Sequence, residues 1–434
     1  MQYYSLNKNA PTVSFEQAVR NGLASDRGLY FPENIPQLSP DFLSRLAAMT
    51  IEDMAVEVMQ PYVGNSLTEA ALREIVSATL CFDFPIQSVS EHIGSLELYH
   101  GPTLAFKDVG ARFMARCLGH FIAGDASAKK TTVLVATSGD TGGAVADGFL
   151  GVEGIDVVIL YPKGKVSPLQ EKQLTTLGKN ITALEVDGVF DDCQDMVKTA
   201  FLDDAIKQQR QLTSANSINV ARWLPQMLYY FIAYKQLHKQ HKDIVFAVPS
   251  GNFGNLCAGM MAWKMGLPIK HFVACTNSNK VVPEYLQSGN YAPKKTIPTI
   301  SNAMDVGAPS NFIRIQEIVA NNFKALKAIL SGFSYSDTAT RAAMQSLRTE
   351  CDYVAEPHGA IGYLGLEAYF KQAGDTSSYG VFLETAHPIK FAEEVETTLD
   401  IKLEFPAQVA GIMAAKKQAI SIATYADLKA FLMD

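Results

Sequence analysis

The chain has 434 residues, 48% of them hydrophobic and 19% charged, with a formal net charge of −7. That length exceeds one ordinary domain and predicts two or three lobes around a sizeable core. The acidic balance argues against nucleic acid as a main partner, and no apolar run reaches the roughly 20 residues of a membrane span. The first residues lack the charged and apolar regions of a signal peptide. Six scattered cysteines without a CxxC pair read as buried thiols, not as a disulfide framework or a metal site. A soluble, cytoplasmic protein is expected.

Residues 1–93 predict a mainly helical N-terminal lobe. Ser14-Phe-Glu-Gln17 opens a helix reaching about Asn21, Ser39-Pro-Asp41 starts one through Ala48, and Leu67 to Leu80 makes a third. From 94 onward the pattern becomes strand, loop and helix in repetition. Strands are expected at 94–99, 132–137, 155–160, 181–186, 244–248, 270–275 and 379–384. Val133-Leu-Val-Ala136 and Asp156-Val-Val-Ile-Leu160 lack polar alternation, which implies burial on both faces. The fold class is therefore α/β, with lobes built on parallel sheets and helices on both faces. Residues 94–275 form the core with an embedded smaller lobe, and 276–378 a loop-rich and helical extension. Within it, 276–311 is rich in Asn, Pro, Ser and Gly and reads as a long loop, followed by one helix over 312–330. Residues 379–434 supply a closing strand and helices.

Three stretches carry chemistry. In His100-Gly-Pro-Thr-Leu-Ala-Phe-Lys-Asp108, Lys107 falls near a loop-to-helix junction among apolar neighbours. Desolvation there would lower its pKa and make the amine nucleophilic, although taken alone the pattern also fits a solvated lysine in a first helical turn. Thr131 to Ala144 and Ile244 to Asn255 each run from a β-branched strand through a small polar loop into a helix. Glycines let backbone approach a ligand, and the N–H groups of a first helical turn face an anion. Two such loops suggest two anionic groups. Neither has the Lys-Ser/Thr of a P-loop or the full spacing of a dinucleotide fold.

Lys107 in its Phe-Lys-Asp setting, Ser138-Gly-Asp-Thr-Gly142 and Gly251-Asn-Phe-Gly-Asn255 resemble the second fold type of pyridoxal-phosphate (PLP) enzymes. More narrowly, the chain resembles the threonine synthase family. The likeness runs through Val13-Ser-Phe-Glu-Gln-Ala-Val19, Gly28-Leu-Tyr-Phe-Pro32, Ser214-Ala-Asn-Ser-Ile-Asn219, Ser301-Asn-Ala-Met-Asp-Val306, Glu356-Pro-His358 and Leu383-Glu-Thr-Ala-His-Pro388.

The resemblance implies pyridoxal 5'-phosphate as cofactor, with Lys107 as Schiff-base lysine and general base. Gly251, Asn252, Phe253, Gly254 and Asn255 would hold the cofactor phosphate. Asp140 would lie at the ring's 3-oxygen, where many relatives carry Asn; a carboxylate beside a phenolate requires a shared proton or a nearby cation. Thr385 would face the pyridine nitrogen, with Glu384 turned to the opposite face; a helix N-cap before Pro388 is the plainer role for Thr385. Asn216 and Ser217 would cap an incoming helix and, with Arg222, Ser138 and Thr141, form a second phosphate site separate from the cofactor's. The implied substrate is O-phospho-L-homoserine, the product L-threonine, and the protein a monomer or weak homodimer. A dehydratase or cysteine-type synthase, a phosphohydroxyamino-acid lyase and a silent cofactor-binding sensor are the rival readings. His358 and His387 receive no catalytic role.

Overall fold

Three sheets organise the chain, and the computed structural model describes them through residues 1–124 and 130–434. In the first lobe β1 (Gln2–Ser5), β2 (Val13–Ser14) and β3 (Tyr30–Pro32) form an antiparallel sheet that accompanies the expected helices. Ser14 ends β2 and caps the helix Phe15–Asn21 through a capping box with Gln17. An additional helix, Ile51–Val63, is capped by Thr50.

The remaining strands are β4 (Ile86–Ser88), β5 (Ile93–Glu97), β6 (Thr131–Ala136), β7 (Ile155–Pro162), β8 (Ile181–Val186), β9 (Gln211–Thr213) and β10 (Ile244–Pro249). They continue with β11 (His271–Thr276), β12 (Leu330–Ser334), β13 (Tyr379–Glu384) and β14 (Ile420–Ile422). The larger sheet has the order β12-β11-β10-β13-β5-β4 and is parallel except at β4. The smaller has the order β14-β8-β7-β6-β9 and is parallel throughout.

Unbroken apolar strands are explained by burial on both faces. Ile244, Phe246 and Val248 enter the main core with the helices Met227–Leu237 and Gly254–Met265, while Val245 and Ala247 enter a second core with Pro357–Ala373. In β6, Val133 and Val135 face the main core, whereas Leu134 and Ala136 join a third beside Phe190–Leu202. Each fully buried aliphatic or aromatic side chain contributes about 1.5–3 kcal/mol, so both faces hold these strands in place.

Two expectations are corrected in the extension. Residues 276–311 contain the helix Val281–Ser288 and are knotted around Asp305, which accepts from Thr299 Oγ1 at 2.7 Å and from Asn277 Nδ2 at 2.9 Å. The single helix expected over 312–330 is broken into Phe312–Ile318 and Phe323–Ile329, and the chain then enters β12. Ala320 and Asn321, at φ of 51° and 58°, make the break. Among the cysteines, Cys81 is exposed and Cys351 half-buried, so only the other four are the buried thiols that were expected.

After β13 the chain crosses to the smaller sheet. Val409, in the helix Ala407–Ala414, packs with Leu104, Leu169 and Ile389, and β14 then pairs with β8. The loops leaving β5, β6, β9, β10 and β13 carry every residue singled out above for chemistry. Carboxyl ends of parallel strands are where such sheets bind ligands.

Candidate active site

Lys107 is the first residue of the helix Lys107–Ala123. The turn before it is fixed from several sides. Leu104 adopts φ +60°, a conformation costing a non-glycine residue about 1–2 kcal/mol. The backbone N–H of Phe106 donates to Thr385 O at 2.9 Å, that of His387 to Leu104 O at 3.0 Å, and the Tyr229 hydroxyl to Phe106 O. Lys107 and Thr385 thus lie on adjoining backbones. Thr385 is buried, and its hydroxyl makes no hydrogen bond among the described residues; it caps no helix, since His387 caps the turn Pro388–Phe391. Asp108 accepts from the Thr103 backbone N–H at 2.9 Å and from the Thr103 hydroxyl. Burial outweighs these bonds and pushes its carboxyl up to about 6.

The Lys107 amine faces Asp140, with Nζ 3.6 Å from Oδ2. The other oxygen, Oδ1, lies 2.9 Å from Lys390 Nζ and accepts from Gln170 Nε2 at 2.9 Å. Lys390 was not singled out from the sequence. It is wholly buried and also donates to Thr103 O at 2.8 Å and Gln173 Oε1 at 2.9 Å, so each of its three N–H bonds has an acceptor. Here is the cation that a carboxylate at position 140 requires.

Desolvation lowers the Lys107 pKa; Asp140 opposes this, while Lys390 and Arg222 lower it further. Burial alone would raise the Asp140 carboxyl. Lys390 and Lys107, with the hydrogen bonds from Gln170 and Lys390, outweigh it and hold the group well below the usual carboxylate range.

In the loop after β10, the backbone N–H groups of Gly251 to Asn255 meet no acceptor among the described residues. A β-carbon on Gly251 would fall 2.7 Å from Met304 Cα, so only glycine fits against the 301–306 segment. The Asn252 amide is spent on the fold, donating to Ser217 Oγ at 2.7 Å and accepting from Ser310 N at 2.6 Å. Phe253, at φ 62°, precedes the helix Gly254–Met265, and Asn255 Oδ1 accepts from the Tyr230 hydroxyl at 3.0 Å.

After β6, Thr137 Oγ1 accepts from the N–H groups of Gly139 at 3.0 Å and Gly142 at 2.9 Å. The side chains of Ser138 and Thr141 are half-buried and make no hydrogen bond among the described residues. After β9 the helix Val220–Trp223 is capped by Asn219, not by Asn216 or Ser217. Arg222 is buried; its Nη1 donates to Ala215 O, and burial lowers its pKa to about 10. Because Ser217 Oγ accepts from Asn252 Nδ2, the 214–222 and 251–255 segments adjoin.

Among the buried side-chain atoms that lack a partner, Arg222 Nε, Asn255 Nδ2 and Asn311 Nδ2 belong to these loops or adjoin them. All three are donors. A surplus of donors beside free backbone N–H groups, next to a desolvated amine, fits a phosphate-bearing aldehyde such as pyridoxal phosphate.

Residues 88–383 match the profile of pyridoxal-phosphate dependent enzymes, residues 2–80 that of the threonine synthase N terminus, and residues 359–432 that of the threonine synthase C-terminal region. The chain belongs to the threonine synthase family. Threonine synthase from Haemophilus influenzae is 48% identical, over 94% of this chain and 93% of its own. The crystal structure of threonine synthase from Escherichia coli superposes with a TM-score of 0.91 at 42% identity, covering 100% of this chain and 99% of that one. PLP-bound threonine synthase from Brucella melitensis gives 0.92 at 32% identity, with coverage of 100% and 99%. The fold is the second fold type of PLP enzymes, and the cofactor of this threonine synthase family member is PLP.

The two histidines adjoining prolines are satisfied within the fold. Ala303 N donates to His358 Nε2 at 3.2 Å, which leaves Nδ1 as the N–H facing Glu356. His387 Nδ1 accepts from Ile389 N at 3.1 Å, and so shapes the turn that carries Lys390.

Proposed function

We propose that the protein converts O-phospho-L-homoserine and water to L-threonine and phosphate, with Lys107 as the lysine that carries the cofactor and as the general base. The observation carrying this reading is the position of Lys107, desolvated at a helix start between Asp140 and Thr385, with two donor-rich loops nearby. PLP, when bound, supplies an electron sink for charge developing at the substrate's α-carbon.

Around it each residue has a separate task. Gly251, Asn252, Phe253, Gly254 and Asn255 hold the cofactor phosphate through their backbone N–H groups. Thr385 offers its hydroxyl to the pyridine nitrogen. Asp140, kept ionised by Lys390, accepts a hydrogen bond at the 3-oxygen. The substrate phosphate is held by Ser138, Thr141, Asn216, Ser217 and Arg222. Lys107, its amine favoured by burial, takes the proton from the substrate's Cα and then one from Cβ. A phosphate group held at both loops keeps bulk water out while one water reaches Cβ.

The acidic surface and the absence, among the described residues, of any helix long and apolar enough to cross a membrane support a cytoplasmic enzyme without nucleic-acid or membrane partners. A monomer or weak homodimer completes the reading. Borohydride reduction of the yellow holoenzyme followed by peptide mapping tests it: the cofactor is expected on Lys107. Addition of O-phospho-L-homoserine is expected to release phosphate and threonine in equal amounts. Cofactor on another lysine, or a ketoacid in place of threonine, overturns it.

A further inference from the structure

Arg314 lies in the helix Phe312–Ile318, fully buried, with its guanidinium 4.7 Å from the Trp223 ring centroid. It spends five N–H bonds on five acceptor contacts. Nε and Nη2 donate to Tyr30 O at 3.3 and 2.9 Å, and Nη2 also to Ile218 O at 2.7 Å. Nη1 donates to Ser217 O at 3.5 Å and Asn311 Oδ1 at 2.5 Å. Every acceptor is neutral. Of the other buried cations described above, Lys390 has Asp140 and Arg222 donates to the Ala215 carbonyl; Arg314 likewise has no carboxylate among its partners, and burial lowers its pKa to about 9. Burying an ion costs several kcal/mol unless a counter-charge and hydrogen bonds offset it, and here only the hydrogen bonds are present.

The backbone it grips has one direction. Five consecutive carbonyls turn into the protein: Ser214 O accepts from Asn219 Nδ2, Ala215 O from Arg222, Asn216 O from Asn219 N, and Ser217 O and Ile218 O from Arg314. The N–H groups of Ala215, Ser217 and Ile218 meet no acceptor among the described residues. Arg314 also sets the Asn311 amide, whose Nδ2 is left unpaired and lies 3.4 Å from where a β-carbon on Gly254 would stand. One guanidinium thereby orders donors on both loops.

Resting on the reading of 214–222 as part of the substrate-phosphate site, we propose that Arg314 is the positioning residue of that subsite: it holds the Ser217 and Ile218 carbonyls inward, presents this loop's donors to a dianion, and has its own charge compensated when the dianion arrives. A substrate lacking the phosphate leaves that charge unmatched. The subsite therefore selects phosphorylated amino acids over their hydroxyl counterparts by electrostatics as well as by contact. The link to Tyr30 gives the Gly28–Pro32 stretch a role as a prop for this loop.

The test uses the holoenzyme with Arg314→Lys, which keeps the charge and loses the fork, and Arg314→Gln, which loses both. KM and kcat for O-phospho-L-homoserine, the inhibition constant of inorganic phosphate, and the affinity for L-homoserine read from the visible absorbance are measured on each. The KM and the phosphate constant are expected to rise about tenfold in the lysine variant and about a hundredfold in the glutamine variant, as loss of a buried charge contact entails. L-homoserine affinity is expected to be held, because that ligand makes no phosphate contact, and kcat is expected to fall by less than KM rises. Parallel loss of L-homoserine affinity, the mark of a merely structural arginine, overturns the inference. Phosphate inhibition that survives undiminished in the folded lysine variant also overturns it, and that variant decides alone if the glutamine variant does not fold. No competitive inhibition by phosphate in the unaltered enzyme overturns the reading of the site itself.

Discussion

Asp140 and Glu384 are both buried carboxyls at the carboxyl ends of parallel strands, yet their surroundings shift their pKa values in opposite directions. Asp140 lies between two ammonium groups and is held ionised. Glu384 ends β13 with its partner in register, Glu97 of β5, beside it, and accepts from Glu356 N at 2.8 Å through Oε1 while Oε2 has no partner. Burial, then the neighbouring charge of Glu356, raises its pKa well above the carboxylate range and so favours the protonated form. Burial is common to both; the sign of the nearest partner separates them. Consecutive residues 384 and 385 thus serve different networks, one beneath the helix Pro357–Ala373 and one beside Lys107.

The contrast is broken most severely at the ionised side. Lys107→Ala is expected to lower kcat by at least about a thousandfold in steady-state assays, because nucleophile and base vanish together. The Asp140–Lys390 pair persists in that variant, so the protein should still fold. Lys390→Met removes the counter-charge itself and is expected to cost about 3–5 kcal/mol in denaturant unfolding, the penalty of stranding a buried carboxylate. With the lowering effect of Lys390 gone, the pKa of the free Lys107 amine rises, and the acid limb of the kcat profile, which reports that amine with substrate bound, moves to higher pH.

At the neutral side the effects are structural. A β-carbon at Gly359 would overlap the Glu384 carboxyl. Gly359→Ala is expected to destabilise by about 1–3 kcal/mol, read as a lower melting temperature. The smallest effect belongs to Glu384→Gln. A carboxyl whose folded pKa is raised contributes stability that is complete below its unfolded value near 4.5 and is lost as pH rises through the folded value. Unfolding midpoints of the two proteins should therefore diverge progressively as pH rises above the unfolded value, the glutamine variant gaining by about 1 kcal/mol or more where the divergence is complete. Parallel pH curves would mean that Glu384 is ionised and that the contrast with Asp140 is false.

Much of this was legible because its signals are local. β-branched runs, glycine loops and helix starts each occupy a dozen residues, so the strands around both sheets and the Lys107, 138–142 and 251–255 stretches could be read directly. Lys390 could not be, since it reaches Thr103 across 287 positions and its own neighbourhood shows only a turn after Pro388. Arg314 reaches Tyr30 across 284. β12 escaped notice because Ser331, Gly332 and Ser334 have little strand propensity, and its place comes from parallel pairing with β11. Pro283 sits inside Val281–Ser288, and Ser288 within it and Asn277 and Asn279 before it serve hydrogen bonds instead of marking a loop. That a carboxylate at Asp140 needs a shared proton or a cation, by contrast, followed from electrostatics; that Lys390 lies there did not.

The pairing of β14 with β8 has a consequence for how the protein is made. β8 ends at Val186, while its outer neighbour comes from residues 420–422. A ribosome that has already produced Lys107, both donor loops and every strand of the larger sheet has still not supplied that neighbour. During all of this interval β8 offers an open row of N–H and C=O groups, and open edges recruit strands from other nascent chains. Protection of the growing polypeptide at this edge falls to chaperones or to transient local cover, and the smaller sheet is sealed only after residues 420–422 have emerged.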